Sequence, residues 1–352
     1  MSKPVICLLC GGQSTEHEVS LMSARNVVAA IPGEKYELLI VGIDQEGGWW
    51  LYEDGQFVEH GDDPARITLA PGGTGVSPVR WKGRSALAIL GSGREPIAFD
   101  LLFPVMHGRN GEDGAIQGLA QLLGCPCVGC GMTASALCMD KAFAKQILEQ
   151  EGIRTARWVL LVKGEEQVSA SEAIAKLGLP LFVKPANAGS SVGVVKVHTE
   201  SEFEAAVAEA MRYDSRVLVE ECVKGREIEC AVMGNHQLFC GLPGEIVPKV
   251  DFYSYEAKYT LEDGAELLAP AELTPEQIAR VQKIAAKAYK ALSCRGMSRV
   301  DFFLKPDGEF ILNEINTIPG FTKISMFPRL MGVSGIGYSE LVDRLIQLSL
   351  EA

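Results

Sequence analysis

No uninterrupted apolar run in the chain approaches the roughly 18 residues that a membrane-spanning helix requires. The first residues, Met-Ser-Lys-Pro-Val-Ile-Cys-Leu-Leu-Cys, run into Gly11-Gly12-Gln13 without the apolar length or cleavage site of an export signal. A cytoplasmic location is therefore expected. Basic residues are in deficit: 33 Lys and Arg against 45 Asp and Glu leave a formal charge of −12. Nucleic acid and membrane surfaces are poor partners for such a chain, and any phosphate chemistry must rest on a few locally placed cations. There is no Gly-x-Gly-x-x-Gly, which argues against a dinucleotide redox site, and no Gly-Lys-Ser/Thr opening a helix, which excludes a Walker loop. Internal repeats and low-complexity segments are missing. The ten cysteines read as reduced thiols in a chain of this kind. Cys125, Cys127 and Cys130 form Cys-x-Cys-x-x-Cys, but no comparably spaced Cys/His pair follows, and the stretch reads as a short buried strand and turn.

A length of 352 residues exceeds what one core usually organises, so two or three domains are expected. The densest chemistry lies in Arg299-Val-Asp-Phe-Phe-Leu-Lys-Pro-Asp-Gly-Glu-Phe-Ile-Leu-Asn-Glu-Ile-Asn316. Runs rich in β-branched and aromatic residues flank Asp307-Gly308, a strong hairpin signal. With Asp307 and Gly308 as a two-residue turn, Asp301 faces Glu314 and Arg299 faces Asn316, all on one side of the hairpin. Phe303 and Leu312 extend that side as an apolar floor. Val300, Phe302, Leu304, Ile311 and Ile315 form the core side, with Asn313 the exception. Opposed carboxylates destabilise a hairpin unless a cation relieves them. One reading is that Arg299 pairs with Asp301 or Glu314 on a solvated face. The other is a hard, oxygen-only Mg²⁺ site made by Asp301, Glu314 and the amide of Asn316.

Residues 4–10 and 36–43 read as strands around a helix over 20–31, which stops at Pro32-Gly33. This order predicts a parallel sheet whose ligand end is the loop holding Glu16. Residues 44–98 read as a long, partly irregular connection with edge strands. A strand over 99–106 delivers His107 to a Gly-rich loop, followed by a helix over 115–123. Residues 132–139 form a short helix, and Asp140 caps a longer one over 141–151. Lys141 falls in its first turn, where a cation opposes the macrodipole; it is either simply solvated or paired with an anion. A strand over 180–185 carries Lys184 into Ala186-Asn-Ala-Gly-Ser-Ser-Val-Gly193, a small-residue turn whose N–H groups and hydroxyls can close over phosphates. Strands over 194–197 and 216–223 flank a helix over 202–211, and a further strand begins at 224–229. Residues 244–264 read as a structured loop, a common carrier of function. Helices over 274–292 and 339–350 complete the chain.

Eight motifs then coincide: Gly11-Gly-Gln-Ser-Thr-Glu-His-Glu-Val-Ser20, His107-Gly-x-x-Gly-Glu-Asp-Gly114, Met139-Asp-Lys141, Val183-Lys-Pro185, Gly189-Ser-Ser-Val-Gly193, Lys258-Tyr259, Arg299-x-Asp301 and Asn313-Glu-x-Asn-x-x-Pro-Gly320. In that order they resemble the D-alanine–D-alanine ligases of the ATP-grasp superfamily over nearly the whole chain. The resemblance implies a multidomain α/β and α+β protein: a parallel α/β domain over 1–128, then a two-part ATP-grasp fold with antiparallel sheets over 129–217 and 218–352. It implies ATP as cosubstrate, two Mg²⁺ (or Mn²⁺), D-alanine as substrate, a role in peptidoglycan synthesis, and a homodimer that binds neither nucleic acid nor membrane.

Carried over residue by residue, the resemblance puts the metals on Asp301, Glu314 and Asn316. Lys141, Lys184, Ser190 and Ser191 contact the ATP phosphates, while Glu220, Glu221, Val223, Glu227 and Phe303 surround adenine and ribose. Glu16 takes the ammonium of the first D-alanine and forms a hydrogen-bonded set with Ser190 and Tyr259. Arg299, Gly320 and Ser325 surround the acyl phosphate and oxyanion, with Met326 beside the second D-alanine. His107 and Lys258 are further substrate contacts. Two departures stand out: Cys222 occupies a position where the family commonly has an aromatic residue, and the 125–138 stretch is rich in cysteine. Tyr259 and Met326 favour D-alanine over the D-lactate and D-serine ligases that share these motifs. A nucleotide sensor that kept the fold without the chemistry is the alternative from another class.

Overall fold

The computed structural model describes residues 2–53, 55–249 and 265–351. Val5–Gly11 lies between Glu37–Ile43 and Leu101–Val105, and all three run parallel. Ile6 to Cys10 are wholly buried, as expected of a strand covered on both faces. The helix that follows spans His17–Ala30, starting earlier than the 20–31 expectation. Residues 44–98 are more regular than their composition suggested. Trp49–Tyr52, Thr74–Trp81, Arg84–Ile89 and Ile97–Phe99 extend the sheet antiparallel to seven strands. Their Gly and Pro residues mark turns between strands, which local composition does not distinguish from irregular loop.

A second sheet holds four antiparallel strands in the order Trp158–Val162, Arg216–Glu221, Leu181–Pro185 and Val195–Val197. Ala173, Leu177, Phe203 and Ala206 from two helices cover one face of it. A third sheet runs Ala265–Leu268, Gly244–Pro248, Arg226–Met233, Met297–Leu304 and Phe310–Asn316, with Phe239–Cys240 beside Arg226–Met233. Pro275–Ala291 packs on it, opened by Thr274 and Gln277 as a capping box. Met326–Val333 and Tyr338–Leu350 return to the first sheet, so Phe327, Leu341 and Leu345 share one core with Ile6, Leu8 and Phe103. Of the segment expected as a loop over 244–264, Gly244–Pro248 is a strand and 250–264 lies outside the described residues. Cys130 is buried and donates to the carbonyls of Arg295 and Met297, behaving as a small core side chain.

The hairpin departs from expectation twice, and the departures offset each other. Lys305 N–H donates to Glu309 O at 2.9 Å, so the loop is Pro306-Asp307-Gly308, three residues, with Gly308 left-handed at φ +83°. Leu304 therefore pairs with Phe310, Phe303 with Ile311 and Phe302 with Leu312. A bulge at Asn313 then shifts the register by one residue and restores Asp301 opposite Glu314 and Arg299 opposite Asn316. Leu312 consequently belongs to the core beside Phe302 and Val300, while Ile311 joins Phe303 on the other side. This corrects the assignment of those two residues and accounts for Asn313, the polar exception, as the bulged residue.

Gly308→Ala should cost about 1–2 kcal/mol, because only glycine adopts that φ without strain. Deleting Asn313 should be tolerated better than deleting Ile315, because the first removes only the inserted residue and leaves Glu314 opposite Asp301, whereas the second turns Asn316 toward the core. Urea unfolding of the three variants checks this; an Asn313 deletion as damaging as the Ile315 deletion would refute the bulge.

Candidate active site

Three adjoining cavities lie between the second and third sheets and the ligand end of the first. The largest, about 340 Å³, is lined by Lys141, Lys184, Ser190, Ser191, Glu220, Glu221, Val223, Glu227, Phe303 and Glu314. The second holds Glu16, His107, Lys141, Ser190, Arg299, Glu314, Asn316 and Gly320. The third holds Glu227, Arg299, Asp301, Phe303, Glu314, Gly320, Ser325 and Met326. Glu314 borders all three. Every candidate from the sequence is thereby brought to one continuous region except Lys258 and Tyr259, which lie outside the described residues.

The loop over 189–193 closes against the first domain. Ser190 and Ser191 take left-handed φ of 47° and 59°, a strained conformation more common at functional sites than elsewhere. Ser190 Oγ donates to Glu16 Oε1. Gly189 permits that approach: a Cβ there would stand 3.1 Å from Glu16 Oε2 and 3.8 Å from the Gly108 Cα. Across the same gap, Glu112 accepts from Gly108 N at 2.9 Å and from Ile318 N at 3.1 Å. His107 is buried and lies 3.0 Å from Ile318 O through Nδ1 and 3.1 Å from Ser23 Oγ through Nε2. A carbonyl only accepts, so Nδ1 carries the proton and Nε2 accepts from Ser23. Ser23 in turn accepts from Phe321 N at 3.2 Å. His107 thus ties the 317–321 turn to the first sheet as well as lining the cavity.

Several candidates have partners that the sequence did not reveal. Arg299 forms a bidentate pair with Asp301 at 2.8 and 2.7 Å, one of the two partners expected for it, and also reaches Glu229 on the neighbouring strand at 3.0 Å. Asn316 Nδ2 donates to Asp301 at 2.9 Å. Lys184 meets Glu220 at 2.6 Å, and buried Lys145 meets the other oxygen of Glu220 at 3.0 Å. Glu221 is bound by Arg157 Nε at 2.7 Å and Arg157 N at 2.8 Å. Lys141 Nζ donates to Ala188 O at 2.6 Å, and Asp140, which caps its helix, is held by Arg216. Ser325 accepts from Thr322 N at 2.9 Å and abuts Gly320, where a Cβ would lie 2.6 Å from Ser325 Oγ.

Lys145, Glu112 and Glu229 were missed, though each left a trace. Lys145 stands four residues after Lys141 on one helix face. Glu112 lies inside the His107–Gly114 motif. Glu229 follows Glu227 by two on a strand and so shares its side.

Two family descriptions cover the chain: "D-ala D-ala ligase N-terminus" matches residues 5–130 and "D-ala D-ala ligase C-terminus" residues 147–347. The chain belongs to the D-alanine–D-alanine ligase family. It is 47% identical over 352 residues to D-alanine--D-alanine ligase A of Chromobacterium violaceum, covering 100% of this chain and 96% of that one. Identity to D-alanine--D-alanine ligase A of Escherichia coli K12 is 45%, covering 100% and 97%. Among solved structures, the D-alanine-D-alanine ligase from Coxiella burnetii aligns with a TM-score of 0.86 at 36% identity, covering 100% and 95%. The D-Ala:D-Ser ligase from Enterococcus faecalis aligns with a TM-score of 0.86 at 37% identity, covering 99% and 100%.

Burial and neighbouring charge set the protonation of this ligase-family site. Burial pushes Glu220 up, but Lys145 and Lys184 more than offset it and hold the carboxyl at about 2. Burial lowers Lys141 against the opposing pull of Glu314, and burial lowers His107, keeping the imidazole neutral. Burial, then Glu16, raises Glu112 to about 8 despite its two N–H donors. Because the folded protein holds the Glu112 proton more tightly than the unfolded chain, this contribution to stability is full below the unfolded carboxyl value. It is lost as pH rises from there through about 8. Melting temperature should therefore fall between pH 5 and pH 8 more steeply in wild type than in Glu112→Gln, as scanning calorimetry would show; parallel profiles would refute the assignment.

Proposed function

We propose that this protein joins two D-alanine molecules at the expense of ATP, giving D-alanyl-D-alanine, ADP and phosphate for peptidoglycan synthesis. The observation that carries the reading is the meeting, around Glu314, of a cation-lined cavity between two antiparallel sheets and a second cavity holding Glu16, Arg299 and Gly320.

In this reading adenine and ribose lie against Phe303, Val223, Glu221, Glu220 and Glu227, and the phosphates against Lys141, Lys184, Ser190 and Ser191. The carboxylate oxygen of the first D-alanine attacks the γ-phosphorus, the bond to ADP breaks, and an acyl phosphate forms. Positioning and charge neutralisation suffice for such a step, which needs no protein nucleophile. Glu16 holds the ammonium of that D-alanine, and Ser190, together with Tyr259, keeps the covering loop on it. The amine of the second D-alanine, having lost a proton, attacks the acyl carbon. Arg299 and the backbone at Gly320 stabilise the oxyanion, and phosphate leaves. Ser325 holds the Gly320–Thr322 turn, Met326 borders the second substrate, and His107 and Lys258 are substrate contacts.

Magnesium fits the residues present. Asp301 and Glu314 face each other across a ladder pair with the Asn316 amide on the same side, an all-oxygen set. Among the described residues no three of His, Cys, Asp and Glu converge on one point. The remaining oxygens would thus come from the nucleotide and water. The bound ions, two in this proposal, would neutralise charge on the transferred phosphoryl group. We further propose three domains over 1–128, 129–217 and 218–352, a homodimer, and a cytoplasmic location. No helix among the described residues is long and apolar enough to cross a membrane.

Coupled ADP release with ATP, Mg²⁺ and each of D-alanine, D-serine and D-lactate should show preference for D-alanine at neutral pH. Preference for D-serine would instead favour the second reading, which the likeness to the Enterococcus faecalis D-Ala:D-Ser ligase motivates. Phosphate release indifferent to D-alanine would overturn both. Glu314→Gln should lower kcat by at least roughly a hundredfold with an unchanged melting curve; near-normal turnover would refute the metal assignment.

A further inference from the structure

Among the described residues, Lys145 is the one buried cation near the nucleotide cavity that the proposed chemistry does not use. Its side chain is only 2% exposed, and it does not border the cavity that Lys141, Lys184 and Glu220 line. It sits behind Glu220, with Nζ 3.0 Å from Oε1 and 3.3 Å from the Ala156 carbonyl. Glu220 Oε2 faces Lys184 at 2.6 Å. One buried carboxylate therefore carries an ammonium on each oxygen.

The balance of charge gives this arrangement a consequence. A closed pair of Lys184 and Glu220 would be neutral, and Lys184 would have to leave Glu220 uncompensated in order to meet a phosphate. Leaving a buried carboxylate without its partner is costly. With Lys145 behind it, Glu220 stays compensated while Lys184 turns toward an incoming anion. We propose that Lys145 is a positioning residue for the nucleotide: it neutralises Glu220 from behind and releases Lys184 for the phosphate chain. Lys145 touches neither base nor phosphate itself. The inference rests on the reading of the cavity as an ATP site and adds a residue to it.

Calorimetric titration of ADP and of adenosine into wild type, Lys145→Met, Glu220→Gln and the double variant tests this. Lys145→Met should lose roughly tenfold or more in ADP affinity, the worth of a charge-assisted hydrogen bond, while adenosine, which has no phosphate, changes little. With ATP saturating, kcat should change less than the KM for ATP. Glu220→Gln removes the charge that needed compensation, so adding Lys145→Met to Glu220→Gln should cost little further ADP affinity, whatever Glu220→Gln costs by itself through the adenine and ribose contacts. Equal losses for adenosine and ADP, or a full, roughly tenfold further loss when Lys145→Met is added to Glu220→Gln, would mean that Lys145 serves only packing and would overturn the proposal. If wild type binds ADP and Lys145→Met binds it equally well, this inference alone falls. If wild type does not bind ADP, the reading of the cavity falls and the inference with it.

Discussion

Carboxylates crowded onto one side of the third sheet are the constraint on which the site depends. Glu229, Asp301 and Glu314 occupy successive positions across three hydrogen-bonded strands. Neighbouring like charges on a sheet repel, and partial burial strengthens the repulsion. Arg299 lies between Glu229 and Asp301, while the field of Glu314 acts on Lys141 at the start of helix Lys141–Gln150. The charge requires cations from several directions, and the chain supplies them from helix Lys141–Gln150 and from Arg299. A ligand bringing metal ions and phosphate enters a region already organised around alternating charge.

Hydrophobic packing holds these groups within reach of one another. Phe321, Phe327, Leu341 and Leu345 join the core under the first sheet, which brings the 317–321 turn beside His107 and Glu112. The rim of the first domain and the hairpin of the third sheet thus share a structural foundation. The second sheet has its own smaller core and reaches the first domain through the loop at Ser190, which contacts Glu16. A loop of small residues has little side-chain entropy to lose on closing and lets its backbone come near a ligand.

Motif residues were legible where local order alone sets their neighbours. Glu16, Lys141, Lys184 and Ser190 each sit where a strand, cap or Gly-rich turn could be read from adjacent residues. The hairpin shows the limit of such reading. The pairing of Asp301 with Glu314 was expected from a two-residue turn, yet it arises from a three-residue turn and a compensating bulge. The faces of Ile311 and Leu312 were wrongly assigned because alternation holds only where no residue is inserted. Asn313, polar on a side otherwise apolar, was the available sign of that insertion.

The order of residues along the chain determined which elements form and which side chains they carry: the parallel strands around Val5–Gly11, the Asp140 cap, the small-residue loop, and the acidic hairpin. These follow from periodicity, capping and turn chemistry, all of which act within a few residues. The tertiary structure alone decided who pairs with whom. Glu220 between Lys145 and Lys184, Arg299 against Glu229, and Glu112 against Ile318 join segments far apart in sequence. Charge and hydrogen-bond capacity are visible in a residue's name, but the partner that satisfies them is chosen by packing.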